Sequence, residues 1–345
     1  CYGGHSIGTE IDNLSHPPAL LIGTPGRIAD HISRNSFALE GIQTLVLDEF
    51  DKSLEMGFHE QMSYIISGLS NLNKKVLVSA TSGIEIPEFV GMTSPKILSF
   101  VLENEVKTAL EMKVVVSEEK DKVYALFDLI CSLNSESALI FCNHREVVER
   151  TCEFLNHEGI FATFYHGGMA QDDRERALIQ FRNGSVNYLI TTDLAARGLD
   201  IHEMKHVIHY HLPLHEHEFV HRNGRTARMH ASGTSYLIVH QDEVRPNYLQ
   251  ESLEIITLST NNPLPKPPEF VTIYISGGKK NKINKVDIVG FFSQKGELEK
   301  DDLGLIEVRD FTSFAAVKRT KVKALLGKIR DEKMKGKKYK IEVAR

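Results

Sequence analysis

The sequence predicts a parallel α/β architecture followed by a small α+β module, on three observations. Between Pro18 and about His240, short β-rich runs alternate with amphipathic stretches, the rhythm of βαβ units. A stretch with four prolines, TNNPLPKPPE at 260–269, then reads as an extended, semi-rigid spacer. Beyond it the order strand, helix, strand, strand, helix, strand is the split βαβ pattern of a ferredoxin-like sandwich.

In chain order, the first β-rich runs are ALLIG, TLVLD and KVLVSAT. In TLVLD four largely β-branched and leucine residues, Thr44 to Leu47, as expected of a buried parallel strand, run straight into three carboxylates, Asp48, Glu49 and Asp51. The rhythm restarts near Val101 to Lys107, after ILSFVLENE, which predicts two sheets rather than one. The second series is ALIFC, ATFYHG, YLITTD, KHVIHYHLP and SYLIVH. Between its strands, Val123, Leu126, Phe127, Ile130 and Leu133 fall at helical spacing, as do Ala177, Leu178 and Phe181 before Gly184. Both are expected to be core-facing helices. The tail supplies VTIYIS, INKVDIVGFFSQ, LGLIEVRDF, SFAAV, KVKALLGKIRDE and KYKIEVA.

With 345 residues, 41% of them apolar and 25% charged, the chain has room for two or three cores. Its apolar runs are strand-sized and its first residues carry no signal core, so a soluble, cytoplasmic protein is expected. Cys1, Cys131, Cys142 and Cys152 form no CxxC pair, which points to reduced, mostly packed thiols rather than a disulfide framework or zinc. The chain opens on Cys1, inside what reads as a domain, and is expected to be a fragment. From Phe270 to Arg345, 19 Lys and Arg oppose 10 Asp and Glu, a charge of +9, which leaves −14 on residues 1–269. A polyanionic partner held by the tail is one reading; a lysine-rich solubilising surface is the other.

Open α/β sheets place ligands at the carboxyl ends of strands, so Asp48, Glu49 and Asp51 suit a metal and phosphates. An ordinary strand ending in a solvated acidic turn, with Asp51 or Ser53 capping the next helix, is the alternative. In HRNGRTAR, Arg222, Arg225 and Arg228 recur every third residue, along one side of a helical turn. Three like charges there call for an anion unless the turn is simply solvated. A strand-end Asp suits Mg²⁺ bridging nucleotide phosphates, an adjacent Glu can orient water, and arginines from another domain can stabilise a transferred phosphoryl group. Ser79-Ala80-Thr81 ends another strand of the first sheet and either couples the acids to the second domain or caps the next helix. Thr24-Pro25-Gly26-Arg27 places amides and a guanidinium at a helix start, where a backbone phosphate fits. TTDLAARGLDI, 191–201, is either a close-approach loop whose Asp200 accepts ribose hydroxyls or a tight strand-to-helix turn. His209 and His211 share a strand face and suggest a metal, but no acidic or thiol cluster completes the shell.

TPGR, DEFD, SAT, LIFC, QDDR, TTDLAARGLD and HRNGRTAR, in this order, resemble motifs Ib, II, III, IV, the QxxR element, V and VI of DEAD-box ATP-dependent RNA helicases. GGKKNKINKVDIVG and LGLIEVRDF are similar to the DbpA-type C-terminal RNA-binding domain, appended to helicases that act on large-subunit ribosomal RNA. The resemblance implies part of a RecA-like domain at 1–107, a complete RecA-like domain at 108–258, a linker at 259–269 and an RRM-like βαββαβ domain at 270–345. It implies ATP and Mg²⁺, with Asp48 on the metal, Glu49 on the water, Arg225 and Arg228 as arginine fingers, Asp200 on the ribose and Arg197 as an interdomain link. Asp51, Ser79, Thr81 and His221 would form a coupling layer. Gly3, Gly4, Thr24, Arg27, Arg174 and Thr192 would face an RNA backbone. Lys279, Lys280 and Lys282 would carry the tail's recognition of a structured ribosomal RNA hairpin, although Tyr274, Phe311 and Phe314 remain as aromatic candidates.

Phe50 stands where that family has Ala, Ala227 where Gly is usual, and Asn284 where related tails tend to carry Arg. No GxxxxGK[ST] phosphate loop occurs: Gly167-Gly168 and Gly277-Gly278-Lys279-Lys280 lack the second glycine followed by Lys and Ser or Thr. With that loop expected upstream of Cys1, the chain alone is expected to turn over ATP poorly or not at all. An RNA-binding protein without ATP turnover is therefore the rival reading.

Overall fold

The computed structural model describes residues 1–3, 6–79, 85–99, 110–193, 204–226, 233–249, 253–259 and 261–344. The chain divides into two units, Cys1–Glu103 and Asn104–Arg345. Among the described residues no helix is long and apolar enough to cross a membrane.

In the first unit, β1 (Thr44–Leu47) and β2 (Lys74–Leu77) pair in parallel with Val46 opposite Val76. Around them lie α1 (Ile7–Leu14), α2 (Pro25–Ser33), α3 (Phe50–Glu55) and α4 (His59–Gly68). Helix α4 has two apolar faces: Met62 and Ile66 join Phe50 and Val90, while Ile65 and Leu69 pack with Ile32 of α2. Phe50 is 1% exposed, so the departure from Ala fills this core rather than the carboxylate site. ALLIG, expected as a strand, forms none. Leu20 and Ile22 are exposed, and the Ile22 carbonyl accepts from the Cys1 amino group at 2.7 Å instead of from a neighbouring strand.

The second unit holds seven parallel strands in the order β5-β6-β4-β7-β8-β3-β9. They are β3 (Leu110–Ser117), β4 (Ala138–Phe141), β5 (Ala162–Tyr165), β6 (Tyr188–Thr191), β7 (His206–His209), β8 (Gly233–His240) and β9 (Glu254–Ile256). The expected series lacks β3 and β9. Strands β4, β6 and β7 are buried throughout, which explains the apolar runs of β4 and β6, while β7 buries His206 and His209 at its two ends. Helices α5 (Val123–Ser132) and α6 (Arg145–His157) cover the face built on Leu126, Ile130, Val148 and Leu155. Helix α7 (Gln171–Arg182) lays Leu178 and Phe181 on the opposite face. Helix α8 (Glu216–Asn223) contributes Phe219 beside Leu237 and Leu212.

The same unit contains the tail, an antiparallel sheet of order β11-β12-β10-β13. Its strands are β10 (Phe270–Ile275), β11 (Leu303–Val308), β12 (Ser313–Lys318) and β13 (Ile341–Val343), with α9 (Lys285–Gln294) and α10 (Arg319–Ile329). Ile273, Ile275, Ala315 and Val317 meet Ile288, Phe292, Leu325 and Ile329 on the helix-covered face. The proline-rich segment is tied down on both sides. Lys266 N donates to Ser135 Oγ at 2.8 Å, and the Pro268 carbonyl accepts from Arg319 Nε at 2.7 Å.

Candidate functional site

The acidic site begins where β1 ends. Val78 N donates to the Leu47 carbonyl at 2.9 Å and Phe50 N to the Val78 carbonyl at 3.0 Å, so the ladder continues past the strand ends. This pins the Asp48-Glu49 turn beside Ser79, with Asp48 and Ser79 exposed. Glu49 sits at φ 45°, ψ 47°, a left-handed conformation disfavoured for a residue with Cβ, and Asp48 Oδ1 accepts its amide at 3.0 Å. Such strain persists only where surrounding structure enforces it, and it is concentrated at functional sites. The capping alternative fails: Glu49 occupies the N-cap position, and Asp51 is a buried residue within α3. Thr81 lies outside the described residues.

A second group gathers around the start of α2. Gly3, Thr24 and Arg27 line an open cleft of about 500 Å³ together with Gly26, Asp30 and Phe58. Thr24 is the N-cap residue and Pro25 occupies the first turn, where its missing N–H costs nothing. Arg27 Nη1 lies 3.6 Å from Glu10 Oε2, which also meets His31 Nε2 at 2.8 Å. The fold therefore brings three of the four residues expected on an RNA backbone in this unit to one cleft. Gly4 lies outside the described residues.

In the second unit the arginine array is corrected. Helix α8 stops at Asn223, so Arg222 and Arg225 are not on one continuous helical side. Arg222 is 1% exposed and saturated. Its Nε and Nη2 reach Asp193 Oδ1 and Oδ2 at 2.6 and 2.5 Å, Nη1 the His211 carbonyl at 2.6 Å, and Nη2 also Asn143 Oδ1 at 2.9 Å. Its guanidinium carbon lies 5.0 Å from the centre of the Phe141 ring. Arg222 thus binds no exogenous anion; it ties together the loops after β4, β6 and β7. Arg225 follows in the turn beyond, where its carbonyl accepts from Met204 N at 3.0 Å, and it remains partly exposed. Thr192 and His221 are partly exposed at the same end of the sheet. Arg197, Asp200 and Arg228 lie outside the described residues.

The histidine run forms a polar core node. His209 Nε2 and Ser235 Oγ both meet Asn223 Oδ1, at 3.0 and 2.7 Å, and the Asn143 amide donates to His211 Nδ1 at 3.2 Å. Burial, with the Arg222 charge nearby, pushes the His209 imidazole down to about 3, and burial near Lys122 takes His211 down to about 4. Both are neutral structural groups near neutral pH. The Cys142 and Cys152 thiols are pushed up to about 12 by burial and are packed rather than reactive.

Arg174 lies at the start of α7, partly exposed, with its Nε buried and without a hydrogen bond among the described residues. In the tail, Lys279, Lys280 and Lys282 are exposed on a loop held by main-chain bonds from Lys279 N to the Arg309 carbonyl, 2.7 Å, and from Lys280 N to the Asp310 carbonyl, 2.8 Å. A Cβ on Gly278 would lie 2.2 Å from the Arg309 carbonyl oxygen, so the glycine serves this close approach. Asn284 caps α9, its side chain accepting from Asp287 N at 3.0 Å, which gives this residue a local structural role. Lys279, Asn284 and Lys285 share a cleft of about 540 Å³ with Arg182 and Asn183 from the end of α7.

The tail's other sheet face is not a free platform. Phe314, 5% exposed, and Tyr274 pack with Ala344 against Ile179 of α7, so two of the three aromatic candidates are covered; Phe311 stays exposed. Polar contacts frame this apolar patch. Gln180 Nε2 donates to the Ala344 carbonyl at 2.9 Å, Ser185 Oγ meets Thr272 Oγ1 at 2.6 Å, and Arg182 Nη2 lies 3.2 Å from Glu307 Oε2. At the far side, the Arg319 guanidinium stacks on Phe161 at 4.4 Å. Sequence reasoning missed this docking face and the Asp193 partner of Arg222. The first left a trace, since Gln171, Glu175, Ile179 and Arg182 recur at helical spacing beside the Ala177, Leu178 and Phe181 stripe.

The sequence matches the DEAD/DEAH box helicase family over residues 1–90, the helicase conserved C-terminal domain over 121–230 and the DbpA RNA-binding domain over 272–343. It is 31% identical over 377 residues to the ATP-dependent RNA helicase DbpA of Bacillus subtilis, covering 99% of this chain and 78% of that protein. It is 31% identical over 352 residues to the Escherichia coli protein of the same name, covering 99% and 76%. Among solved structures it is similar to S. cerevisiae Dbp5 bound to RNA and ADP BeF3, with a TM-score of 0.56 at 27% identity over 64% of this chain and 59% of that one. Mss116p bound to single-stranded RNA and AMP-PNP gives 0.62 at 26% identity over 70% and 52%. The chain thus spans just over half the length of each of those two structures.

Proposed function

The chain belongs to the DEAD-box RNA helicases of the DbpA type, and on that premise we propose that it remodels structured large-subunit ribosomal RNA in the cytoplasm during ribosome assembly. The observation that carries this reading is the strained Asp48-Glu49 turn, which offers two carboxylates at a strand end beside the Ser79 hydroxyl. Hard carboxylate oxygens in that position fit a divalent ion and nucleotide phosphates. When bound, ATP with Mg²⁺ supplies the phosphoryl bond whose cleavage drives the cycle. Asp48 would hold the ion and Glu49 orient water. Arg225 and Arg228 would meet developing charge, Asp200 the ribose and Arg197 the opposite domain, with Asp51, Ser79, Thr81 and His221 coupling the two sites. Gly3, Gly4, Thr24, Arg27, Arg174 and Thr192 would grip the RNA backbone, which carries no sequence information. Lys279, Lys280 and Lys282 would tether a ribosomal RNA hairpin.

A second reading is an RNA-binding protein without ATP turnover, since no GxxxxGK[ST] occurs within these 345 residues. The two separate in RNA-stimulated ATP hydrolysis by this chain joined to such a loop. In that protein Arg225→Ala is expected to lower turnover by roughly 10³-fold, the scale of an arginine finger. RNA affinity should change far less; equal loss of both, or no turnover before mutation, overturns the helicase reading.

A further inference from the structure

We propose that Arg309 is a positioning residue: through Glu175 it fixes the N-terminal part of α7, which carries Arg174, to the tail loop that carries Lys279 and Lys280. The inference rests on the reading of Arg174 and of that loop as RNA-facing.

One residue makes both connections. Its carbonyl holds the lysine loop by accepting from Lys279 N at 2.7 Å. Its guanidinium ion-pairs with Glu175 Oε2, the neighbour of Arg174 on α7. Each partner is oriented from its other side. Gln171 Nε2 donates to Glu175 Oε1 at 2.9 Å, and Arg309 Nε donates to Glu307 Oε1 at 3.0 Å, while Glu307 Oε2 meets Arg182 near the far end of α7. The ladder Gln171, Glu175, Arg309, Glu307, Arg182 therefore clasps the helix along its length. Glu175 and Arg309 are only 19% and 29% exposed in their side chains, so water screens them less than a surface pair. The covered sheet face holds the tail on the C-terminal half of α7, at Ile179, Gln180 and Arg182, and the Arg309-Glu175 pair extends that hold to the turn that carries Arg174.

The test measures affinity of the full chain for a single-stranded oligouridylate, and amide exchange at residues 172–176. Arg309→Glu, which places three carboxylates together, is expected to weaken binding at least about fivefold, the lower end of ordinary intersite couplings, and to speed exchange. Arg309→Lys and the charge swap Glu175→Arg with Arg309→Glu are expected to restore affinity to within about twofold, which a mere loss of packing would not permit. If Arg174→Ala weakens binding but Arg309→Glu does not, or if the swap fails to rescue, the positioning role is wrong. If Arg174→Ala itself leaves affinity unchanged, the RNA-facing reading of Arg174 has failed, and the proposal with it. Should Arg309→Glu not fold, the swap and Arg309→Lys decide alone.

Discussion

Replacing Arg222 by Met tests how the second unit is held together. The substitution keeps the apolar stem but removes the hydrogen bonds to Asp193, Asn143 and the His211 carbonyl. Asp193 is then left as a carboxylate with 18% of its side chain exposed and no guanidinium against it. Breaking a buried ion pair by removing one partner costs about 3–5 kcal/mol, mostly the desolvation of the abandoned charge. Residual exposure of Asp193 places this pair near about 3 kcal/mol, a large share of the roughly 5–15 kcal/mol that stabilises a domain. With a urea dependence of about 2–3 kcal/mol/M, the unfolding midpoint should fall by about 1–1.5 M. Urea titrations followed by far-UV circular dichroism, with amide exchange in β4 and β6 assigning the transition to this unit, measure the shift. Adding Asp193→Leu should recover most of the loss, because an apolar pair leaves no buried charge behind. A midpoint shift below about 0.3 M at unchanged slope would refute the view that Arg222 is a structural clamp.

Three further outcomes follow from the same geometry. His209 has a folded-state pKa depressed to about 3, below the usual 6.5, so the unfolded chain binds more protons between those values and stability falls as pH drops through that window. From pH 6.5 to 5 this amounts to about 2 kcal/mol, and His209→Gln, which can still donate to Asn223, should flatten the dependence of the urea midpoint. Gly278→Ala drives a Cβ to 2.2 Å from the Arg309 carbonyl and should displace the lysine loop, costing about 1–3 kcal/mol in a thermal melt and weakening RNA binding together with it. Glu49→Gly relieves the left-handed strain and should stabilise the first unit by about 1 kcal/mol in urea while abolishing any role of that carboxylate; no gain would mean the turn is not strained.

Much of the fold was legible because its strands are buried on both faces. ALIF and YLI read as continuous apolar runs, and together with HVIH they form the parallel centre of the sheet. ALLIG has the same appearance without a paired neighbour among the described residues, since an apolar run records the wish to be buried and not the presence of a partner strand. Asp48 and Glu49 of DEFD follow the end of β1, as an apolar run leading into acids implies, but Val46 is exposed, so β1 is not buried on both faces, and Asp51 falls inside α3. Arg222 and Arg225 of HRNGRTAR do not share one helical side, because a three-residue spacing implies one side only while a helix continues, and α8 ends one residue after Arg222. The docking face of α7 stayed hidden for a different reason. Gln171, Glu175 and Arg182 look like a solvated stripe, and polar residues at a tertiary interface differ from solvent-facing ones only in what lies opposite. The covered aromatics of the tail carry the same lesson, since Tyr274 and Phe314 face each other across β10 and β12 as a stacking platform would, yet they meet Ile179.

The central claim, an RNA tether read by the lysine loop rather than by the sheet, is tested most directly by the affinity of the full chain for a large-subunit ribosomal RNA hairpin and for a shuffled hairpin of equal length and charge, at moderate salt. The account predicts at least about a tenfold preference for the ribosomal hairpin, lost when Lys279, Lys280 and Lys282 are changed to Ala together. Equal affinity for the two hairpins, or a preference that survives the triple substitution, would contradict it.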